Sequence, residues 1–398
     1  MNIDFCETGT LFLKRDFCRL SASECVRAGS AVGRAVHGRR VGVGFAEDGR
    51  SKADAMAVMA GLSEAGAAVW NFGNVFESQL SFFVPFASLG AGIFVDGARK
   101  TVRLFGENGL TVSEAVRKRV DEYSVADAPD CSECGKIFDM SALEMLYRDE
   151  LIKQAPYGIT ARCKVLSTNE TVQALLRDCL PQGEDDTEPV LRVNRFGTSL
   201  SAYSKHTGVV PFVKLIAICG MYELENGRDI SVPFDAPQFL DGLAKNFGRT
   251  AYRYLTAPSD GSDSVARRLA AKQFWSRDAL FTAVKLMSIM SEYETDLSEL
   301  YSRLPNFYVS RTVIDLDVPI DFISGFEGEG FSVGRDSGNG VVIAGERGRA
   351  HLSEIGDGKY CMTAQSRDME TARELCTDIQ CFLEKCKKCK PAEAARLT

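Results

Sequence analysis

Residues 51–95 read SKADAMAVMAGLSEAGAAVWNFGNVFESQLSFFVPFASLGAGIFV, and VRLFGENGLTVSE follows at 102–114. Short apolar runs that predict strands alternate here with amphipathic runs that predict helices. The helix predicted at 51–66 has Ser51 as a candidate N-cap and Gly66 where a C-terminal glycine belongs. Alternation of this kind predicts an α/β layer with crossover helices.

Polar breaks divide the rest of the chain. The stretch ADAPDCSECGK at 126–136 ends the first part, and PQGEDDTEP at 181–189 marks a second break. The segment between them holds one strand and one helix, too little for an independent core. The βα alternation then resumes with a helix predicted at 209–222. Glycine-rich hairpins and a final helix end the chain, and the apolar face of that helix is predicted to contain Met369, Ala372, Cys376, Ile379 and Leu383. We predict a mixed α/β multidomain chain with a shortened second domain and a C-terminal α+β domain: 1–130, 131–187, 188–312 and 313–398.

Composition narrows the class of protein. Of 398 residues, 45% are apolar and 25% are charged, which is typical of a folded globular chain. A net charge of -7 argues against nucleic acid as a partner, because affinity for the phosphate backbone needs surplus Lys and Arg. The sequence contains no run of about 18 apolar residues and no signal-peptide pattern. We therefore expect a cytoplasmic protein without a membrane partner.

Thirteen cysteines are scattered along the chain, mostly singly inside apolar runs, so a disulfide framework is not predicted. Cys131 and Cys134 form one pair with the two-residue gap of a zinc site, and Cys386 and Cys389 form another. Compact zinc ribbons keep their pairs much closer in sequence. Reduced surface thiols are the favoured interpretation, a shared metal is the alternative, and no cofactor is predicted.

The pattern at 51–95 and 102–114 resembles the first domain of the phosphohexomutases, the phosphoglucomutase and phosphomannomutase type of isomerase. In that family "GL..AG..V" and "LGA.GGI" lead to the reactive loop and "IKLFGENG" follows it, an ending that Leu104 to Gly109 match. Further segments are similar to the family's first helix, the end of its third domain and a helix of its fourth: 20–36, 297–312 and 367–376. The resemblance implies a phosphohexomutase-like fold.

The resemblance also implies a phosphoserine in a "TASHNP" loop and a Mg²⁺ in a "DGDADR" loop. Where the phosphoserine loop belongs, the chain reads GIFVDGARKTVRL, which is shorter and has no serine. Asp96 and Thr101 are possible substitutes, but neither follows the family geometry. Where the Mg²⁺ loop belongs, it reads VLRVNRFGTSLSAYS, which puts Asn194, Phe196 and Thr198 at the metal-ligand positions. Because Mg²⁺ prefers carboxylates, we predict no catalytic and no metal-binding residue there.

Further loops of the family pattern have changed as well. The sugar-reading "GEESGH" segment has no counterpart, Phe45 stands where the family has an arginine, and LSEIGDG replaces the phosphate-gripping "RPSGTEP". Nearby, GERGRAH supplies Arg347 and Arg349, with His351, as candidate anion-binding residues. A solvated basic turn is the favoured alternative.

These changes around one cleft predict a phosphohexomutase homologue of the carbohydrate-metabolism lineage that lacks phosphotransferase activity and acts as a binding or regulatory pseudoenzyme. The alternative is a sugar-phosphate-binding protein, or a phosphomutase with relocated catalytic residues such as Ser88 or Ser199. Because family members pair through their first domain, the resemblance also implies a homodimer, or a heterodimer with an active mutase. A hexose phosphate is the ligand it implies.

Overall fold

A computed structural model describes residues 3–5, 10–13, 21–126, 133–255, 261–315, 332–335, 340–356 and 359–393. They divide into two compact units. The first comprises the described residues up to Tyr254 and Asp263–Leu304. The second comprises those from Pro305 onward together with Leu255, Gly261 and Ser262. The mixed α/β class expected from the sequence is confirmed in both units.

The first unit begins with a seven-stranded sheet and four helices. Their bounds are β1 Ile3–Phe5, β2 Thr10–Leu13, α1 Ala22–Ala35, β3 Arg40–Phe45, α2 Gly49–Glu64, β4 Ala68–Asn74, α3 Glu77–Phe86, β5 Ala91–Asp96, β6 Thr101–Gly106, α4 Glu114–Val125 and β7 Ile137–Asp139. The strand order is β1-β2-β6-β5-β3-β4-β7. Strands β3, β4, β5 and β7 run parallel, whereas β6 runs antiparallel to β5. The crossover helices predicted between parallel strands are therefore present.

Helix α2 differs from its prediction at one end. It begins at Gly49, and Asp48 rather than Ser51 is its N-cap, because the Asp48 carboxylate accepts a hydrogen bond of 2.7 Å from the Ser51 backbone N–H. Gly66 has a φ of 80°, the left-handed conformation expected of a glycine after a helix. The prediction of the N-cap was wrong by three residues because an aspartate upstream of a serine competes for the same role.

The rest of the first unit adds two smaller sheets and more helices. Their bounds are α5 Glu144–Ile152, β8 Lys164–Ser167, α6 Glu170–Cys179, β9 Val190–Val193, β10 Leu200–Ser204, β11 Gly208–Val210, α7 Phe212–Glu225, β12 Ile230–Pro233, α8 Phe239–Asn246, β13 Ala251–Tyr254, α9 Ser264–Ala270, α10 Ala279–Glu292 and α11 Leu297–Ser302, with 3-10 turns at Ser141–Leu143 and Phe274–Ser276. Four strands are ordered β11-β10-β9-β8, and β12 pairs with β13. The helix predicted at 209–222 begins only at Phe212, because the residues before Pro211 pair with β10 as strand β11.

An aromatic cluster joins α3, α5 and α10. The Phe82 ring lies 5.1 Å from that of Tyr147, 4.9 Å from that of Phe274 and 5.7 Å from that of Phe281. The buried Tyr147 hydroxyl donates a hydrogen bond of 2.8 Å to Asp278, whose carboxylate also caps α10 by accepting from the Leu280 N–H. The buried Asp278 carboxylate therefore accepts hydrogen bonds both from the Tyr147 hydroxyl and from the N-terminus of α10.

The second unit is an antiparallel sheet covered by one helix. Its bounds are β14 Tyr308–Asp315, β15 Ser332–Arg335, β16 Val341–Gly345, β17 Gly348–Gly356, β18 Lys359–Ser366 and α12 Met369–Glu393, in the strand order β14-β18-β17-β16-β15. The predicted apolar face of the final helix is buried at Ala372, Cys376, Ile379 and Leu383, whereas Met369 is exposed. Among the described helices, none is long and apolar enough to cross a membrane.

Substitution of Asp278 tests the buried carboxylate. In Asp278→Ala, α10 loses its cap and the Tyr147 hydroxyl loses its acceptor, so we expect the free energy of unfolding to fall by about 2 kcal/mol or more. Asp278→Asn keeps an oxygen that can accept from Leu280 and should lose less. Urea unfolding of the three proteins measures the difference, and equal losses in Ala and Asn would contradict the capping role.

The pH dependence of stability gives a second readout. Burial raises the pKa of Asp278 from 3.8 to about 6, and hydrogen bonds from Tyr147 and Leu280 offset part of that effect. A folded-state pKa above the unfolded value stabilises the protein below the lower pKa, and this stability is lost as the pH rises through the higher one. The unfolding free energy of the wild type, measured relative to Asp278→Asn, should therefore fall between about pH 4 and pH 6 and stay level above. A difference independent of pH would contradict it.

Candidate functional site

Three loops meet at the carboxyl edge of the first sheet: residues 46–50 after β3, 97–100 after β5, and 194–199 between β9 and β10. Strands β3 and β5 are parallel neighbours, and the Ala46 N–H donates a hydrogen bond of 3.0 Å to the Val95 carbonyl. In open α/β sheets the ligand site lies outside this edge. These are also the positions at which the sequence departs from the phosphohexomutase pattern.

The turn at 97–100 is tight and closed. It connects β5 directly to β6, with Asp96 opposite Thr101 as the last strand pair. The Gly97 N–H donates a hydrogen bond of 2.7 Å to the Ser51 hydroxyl. A Cβ on Gly97 would lie 2.7 Å from the Ser51 backbone nitrogen, so the turn packs against the first turn of α2. The Ser51 side chain is itself buried and donates to Asp48, which leaves no exposed serine on this turn.

The loop at 194–199 satisfies its own polar groups. The Asn194 Oδ1 accepts hydrogen bonds from the Thr198 N–H at 2.9 Å and the Ser199 N–H at 3.3 Å, and its Nδ2 donates to the Thr198 hydroxyl at 3.0 Å. Because this loop has no carboxylate and its amide oxygen is already engaged, its residues do not fit Mg²⁺. The ligand positions predicted to be lost, Asn194, Phe196 and Thr198, thus form an ordinary hairpin turn.

The N-terminal turns of α3 and α10 donate hydrogen bonds to the backbone of the same loop. The Ser78 N–H of α3 donates a hydrogen bond of 3.1 Å to the Phe196 carbonyl, and the Ala279 N–H of α10 donates one of 2.8 Å to the Gly197 carbonyl. Gly197 has a φ of 68°, and a Cβ there would lie 2.4 Å from the Ser78 hydroxyl oxygen. The position therefore requires glycine both for its backbone and for its close contact with α3.

An ion pair connects the turn to the loop. Asp96 is only 2% exposed, and its Oδ2 accepts a hydrogen bond of 2.7 Å from Arg195 Nη2 while its Oδ1 accepts from the Arg99 N–H at 3.1 Å. The Phe196 ring lies beneath both arginines, with guanidinium carbons 4.1 Å (Arg99) and 4.5 Å (Arg195) from its centroid. An internal cation thus neutralises the one buried carboxylate of the turn.

The pKa values of two neighbouring carboxyl groups, Asp48 and Glu77, are shifted. Burial alone would raise the pKa of Asp48, but hydrogen bonds from Ser51 and Arg50 and the charge of Arg195 hold it below its usual range. Burial raises the pKa of Glu77, an effect that its ion pair with Arg103 offsets only in part. Asp48, Glu77 and Asp96 each already have a partner within the chain.

The candidate anion-binding arginines lie in the second unit. Arg347 pairs with Asp378 of α12 at 2.8 Å, so its charge is already balanced. Arg349 and His351 lie two residues apart on β17, on one face of the strand, whereas Ala350 and Leu352 face the core formed with α12. The structure therefore brings Arg349 and His351 to one face and directs Arg347 to the helix. In LSEIGDG, the residues after Ser353 have no described side chains.

The remaining candidates are the cysteine pairs and the two serines considered for relocated catalysis. Cys131 lies outside the described residues, as do the side chains of Cys386 and Cys389, and Cys134 is an exposed free thiol. Within the described ranges, no group of three or more His, Cys, Asp or Glu side chains is arranged to hold a metal ion. Ser88 follows α3 with a φ of 53°, and Ser199 ends the 194–199 loop. Both are exposed.

The Asp96–Arg195 pair was missed in the sequence. Its members are 99 positions apart, and neither stands in a motif by itself. A signal does exist: Arg195 stands in a loop that contains no carboxylate, while Asp96 ends the strand before the turn at 97–100. Reading the two changes together would have indicated an ion pair in place of a metal site.

Neither a protein-family model nor a curated protein matches the chain. Solved structures do. A phosphoglucomutase/phosphomannomutase family protein from Burkholderia thailandensis is 15% identical with a TM-score of 0.71, over 96% of this chain and 98% of that one. A candidate phosphomannomutase from Thermus thermophilus is also 15% identical, with a TM-score of 0.64 over 95% and 100%. Parafusin, a phosphoglucomutase from Paramecium, is 11% identical, with a TM-score of 0.58 over 92% and 91%. The chain thus has the phosphohexomutase fold that the sequence resemblance implied.

Proposed function

We propose that this phosphohexomutase-fold protein does not transfer phosphoryl groups and acts by binding, as a regulatory pseudoenzyme. The observation that supports it is the Asp96–Arg195 ion pair at 2.7 Å between the turn that follows β5 and the loop after β9. These two segments stand where the family resemblance implies the phosphoserine and the Mg²⁺. Here they contact each other directly, through groups that neutralise one another.

The chemistry of phosphoryl transfer gives the reason. Catalysis depends on a positioned acceptor and on cations that neutralise the charge of the transferred group. The turn at 97–100 carries no hydroxyl, and the nearby Ser51 is buried with its hydroxyl bonded to Asp48 and Gly97. The guanidinium of Arg195 is engaged by Asp96. A travelling phosphoryl would thus lack an acceptor on the turn, and Arg195 beside it is already paired with a carboxylate.

A sugar-phosphate-binding protein is the second candidate. Its support is that Arg99 and Arg195 keep much of their side chains exposed beside Phe196, where an anion can contact them without displacing Asp96. In the other unit, Arg349 is half-buried on β17 and remains a candidate of this kind, whereas His351 beside it is buried. Binding a hexose phosphate in this way needs no acceptor serine.

We propose that the protein is cytoplasmic. Its proposed partner is a second copy of the chain, or a related active mutase, bound through the first sheet. Strand β7 is last in the strand order, and Ile137 and Phe138 on it are exposed. Within the described residues the outer edge of β7 pairs with no further strand. Unpaired apolar edges of this kind favour association.

We expect no stable phosphorylation. Purified protein incubated with glucose 1,6-bisphosphate and Mg²⁺ should keep its intact mass and should not interconvert hexose 1- and 6-phosphates. A mass increase of one phosphoryl group would overturn the proposal, and mapping it to Ser88 or Ser199 would favour relocated catalysis. In the same samples, thermal stabilisation by hexose phosphates without phosphorylation would favour the second candidate, because a ligand that binds the folded state alone raises stability.

The Asp96–Arg195 pair should be energetically coupled. In a double-mutant cycle of Asp96→Asn and Arg195→Gln, we expect a coupling of about 1–3 kcal/mol in the free energy of unfolding, because the carboxylate is buried. Arg39 and Glu107 form a matched control, since both are about 60% exposed, and their coupling should stay below about 1 kcal/mol. Equal coupling in the two pairs would mean that Asp96–Arg195 does not hold the loops together.

Association through β7 should be sensitive to charge. We expect light scattering after gel filtration to give the mass of a dimer, and Phe138→Lys to give a monomer, because lysine on an edge strand opposes pairing. Val209→Lys, on the exposed strand β11, is the control and should leave the mass unchanged. A monomeric wild type without a captured mutase would count against the partner proposal.

A further inference from the structure

A pocket of about 320 Å³ lies within the first unit, away from the three loops. We call it the Trp275 pocket; its walls come from residues 153–157 after α5, from α7 with the residues that follow it, from residues 272–275, and from α10. It shares no lining residue with 46–50, 97–100 or 194–199. Its volume is at the lower end of the range for small-molecule sites.

The wall of the Trp275 pocket contains a charged group that the fold has buried. Lys285 is 6% exposed, and its ammonium contacts the Glu223 carboxylate, which is also buried. Arg228 contacts both oxygens of the same carboxylate at 3.2 Å. Lysine is rarely buried unless it is paired, and here two cations share one carboxylate. The trio therefore carries a net positive charge in a partly desolvated wall.

The other charges of the lining do not cancel this excess. Lys272 is exposed at the pocket and forms no ion pair with any described residue. Lys153 pairs with Glu150. Glu292 is the other carboxylate of the lining, and it accepts a hydrogen bond of 2.6 Å from the Tyr222 hydroxyl. The chain as a whole has a net charge of -7, so a cationic pocket runs against the general charge of the protein and favours an anion.

The uncharged part of the lining favours an organic ligand rather than a bare ion. Tyr157 is exposed on the pocket wall and offers aromatic surface for a ring, whereas Trp275 is buried in the same wall. Asn226 uses its amide nitrogen on the Tyr222 carbonyl, which leaves its amide oxygen to accept a hydrogen bond, and Gln154 also lines the pocket. Acceptors beside aromatic rings suit the hydroxyl groups of a sugar ring.

We propose that the Trp275 pocket binds a small organic phosphate, with its phosphate at Lys272 and Arg228 and its hydroxyl groups toward Asn226 and Glu292. Lysine and arginine are the usual partners of phosphate, by charge and by hydrogen bonding. The site does not depend on the loss of phosphoryl transfer at the three loops. It gives the protein a ligand through which a binding role can be regulated.

Trp275 supplies a direct measurement. The chain has two tryptophans, so Trp70→Phe leaves Trp275 as the sole indole reporter. In that background we expect ribose 5-phosphate to change the Trp275 emission in a saturable manner, with ribose giving no change and inorganic phosphate binding at least severalfold more weakly. Lys272→Glu should weaken the binding of ribose 5-phosphate roughly tenfold, since it replaces a charge-assisted hydrogen bond by repulsion.

Lys245→Glu is the matched control, because Lys245 is exposed on α8 and lies outside the pocket lining. It should leave the affinity within about twofold, since exposed distant charges are screened by salt. Circular dichroism establishes that both variants remain folded. The proposal is overturned if millimolar ribose 5-phosphate leaves the emission and the melting temperature unchanged, if inorganic phosphate binds equally well, or if the two charge reversals weaken binding equally.

Discussion

The packing of Phe82 against Tyr147, Phe274 and Phe281 is the contact on which the first unit depends. Aromatic pairs at 4.9–5.7 Å hold α3, α5 and α10 together, and each contributes about 0.5–1.5 kcal/mol beyond the area that it buries. Because Ser78 and Ala279 lie in the first turns of α3 and α10, the same packing positions the N–H groups that bind loop 194–199. The position of loop 194–199 therefore depends on the aromatic packing between these helices.

The ion pair between Asp96 and Arg195 plays a different part. Burying a charge pair costs desolvation free energy that its attraction only roughly repays, so its net contribution to stability is small. Removing Arg195 is costly, because the buried Asp96 carboxylate keeps only the more distant Arg99, whose Nε lies 3.9 Å from Asp96 Oδ2. The pair thus selects one arrangement of the turn and the loop more than it stabilises the fold. A metal ion would need to displace Arg195 from Asp96 and to find carboxylates that this loop does not contain.

The sequence predicted the fold more fully than the site. Periodicity located α2, β4 and β5 because each pattern is local, and the errors at Asp48 and Phe212 arose where two adjacent signals competed for one helix start. The changed loops were visible as departures from a family pattern. The contact between these loops was not visible in the sequence, because Asp96 and Arg195 are 99 positions apart. The Trp275 pocket was not visible in the sequence either, because its walls come from four separate segments of the chain.

The two regions of the first unit differ in how deeply their shared carboxylates and cations are buried. At the three loops, Arg195 and Arg99 share the buried Asp96, but 42% and 61% of their side chains are exposed to water, whereas Lys285 at the pocket is 8% exposed. At the Trp275 pocket, Lys285 and Arg228 share Glu223, and Lys272 adds a charge without a described acidic partner. An anion gains most where positive charge is desolvated and not yet neutralised. That difference is why we assign recognition of an organic phosphate to the pocket and a structural role to the loops.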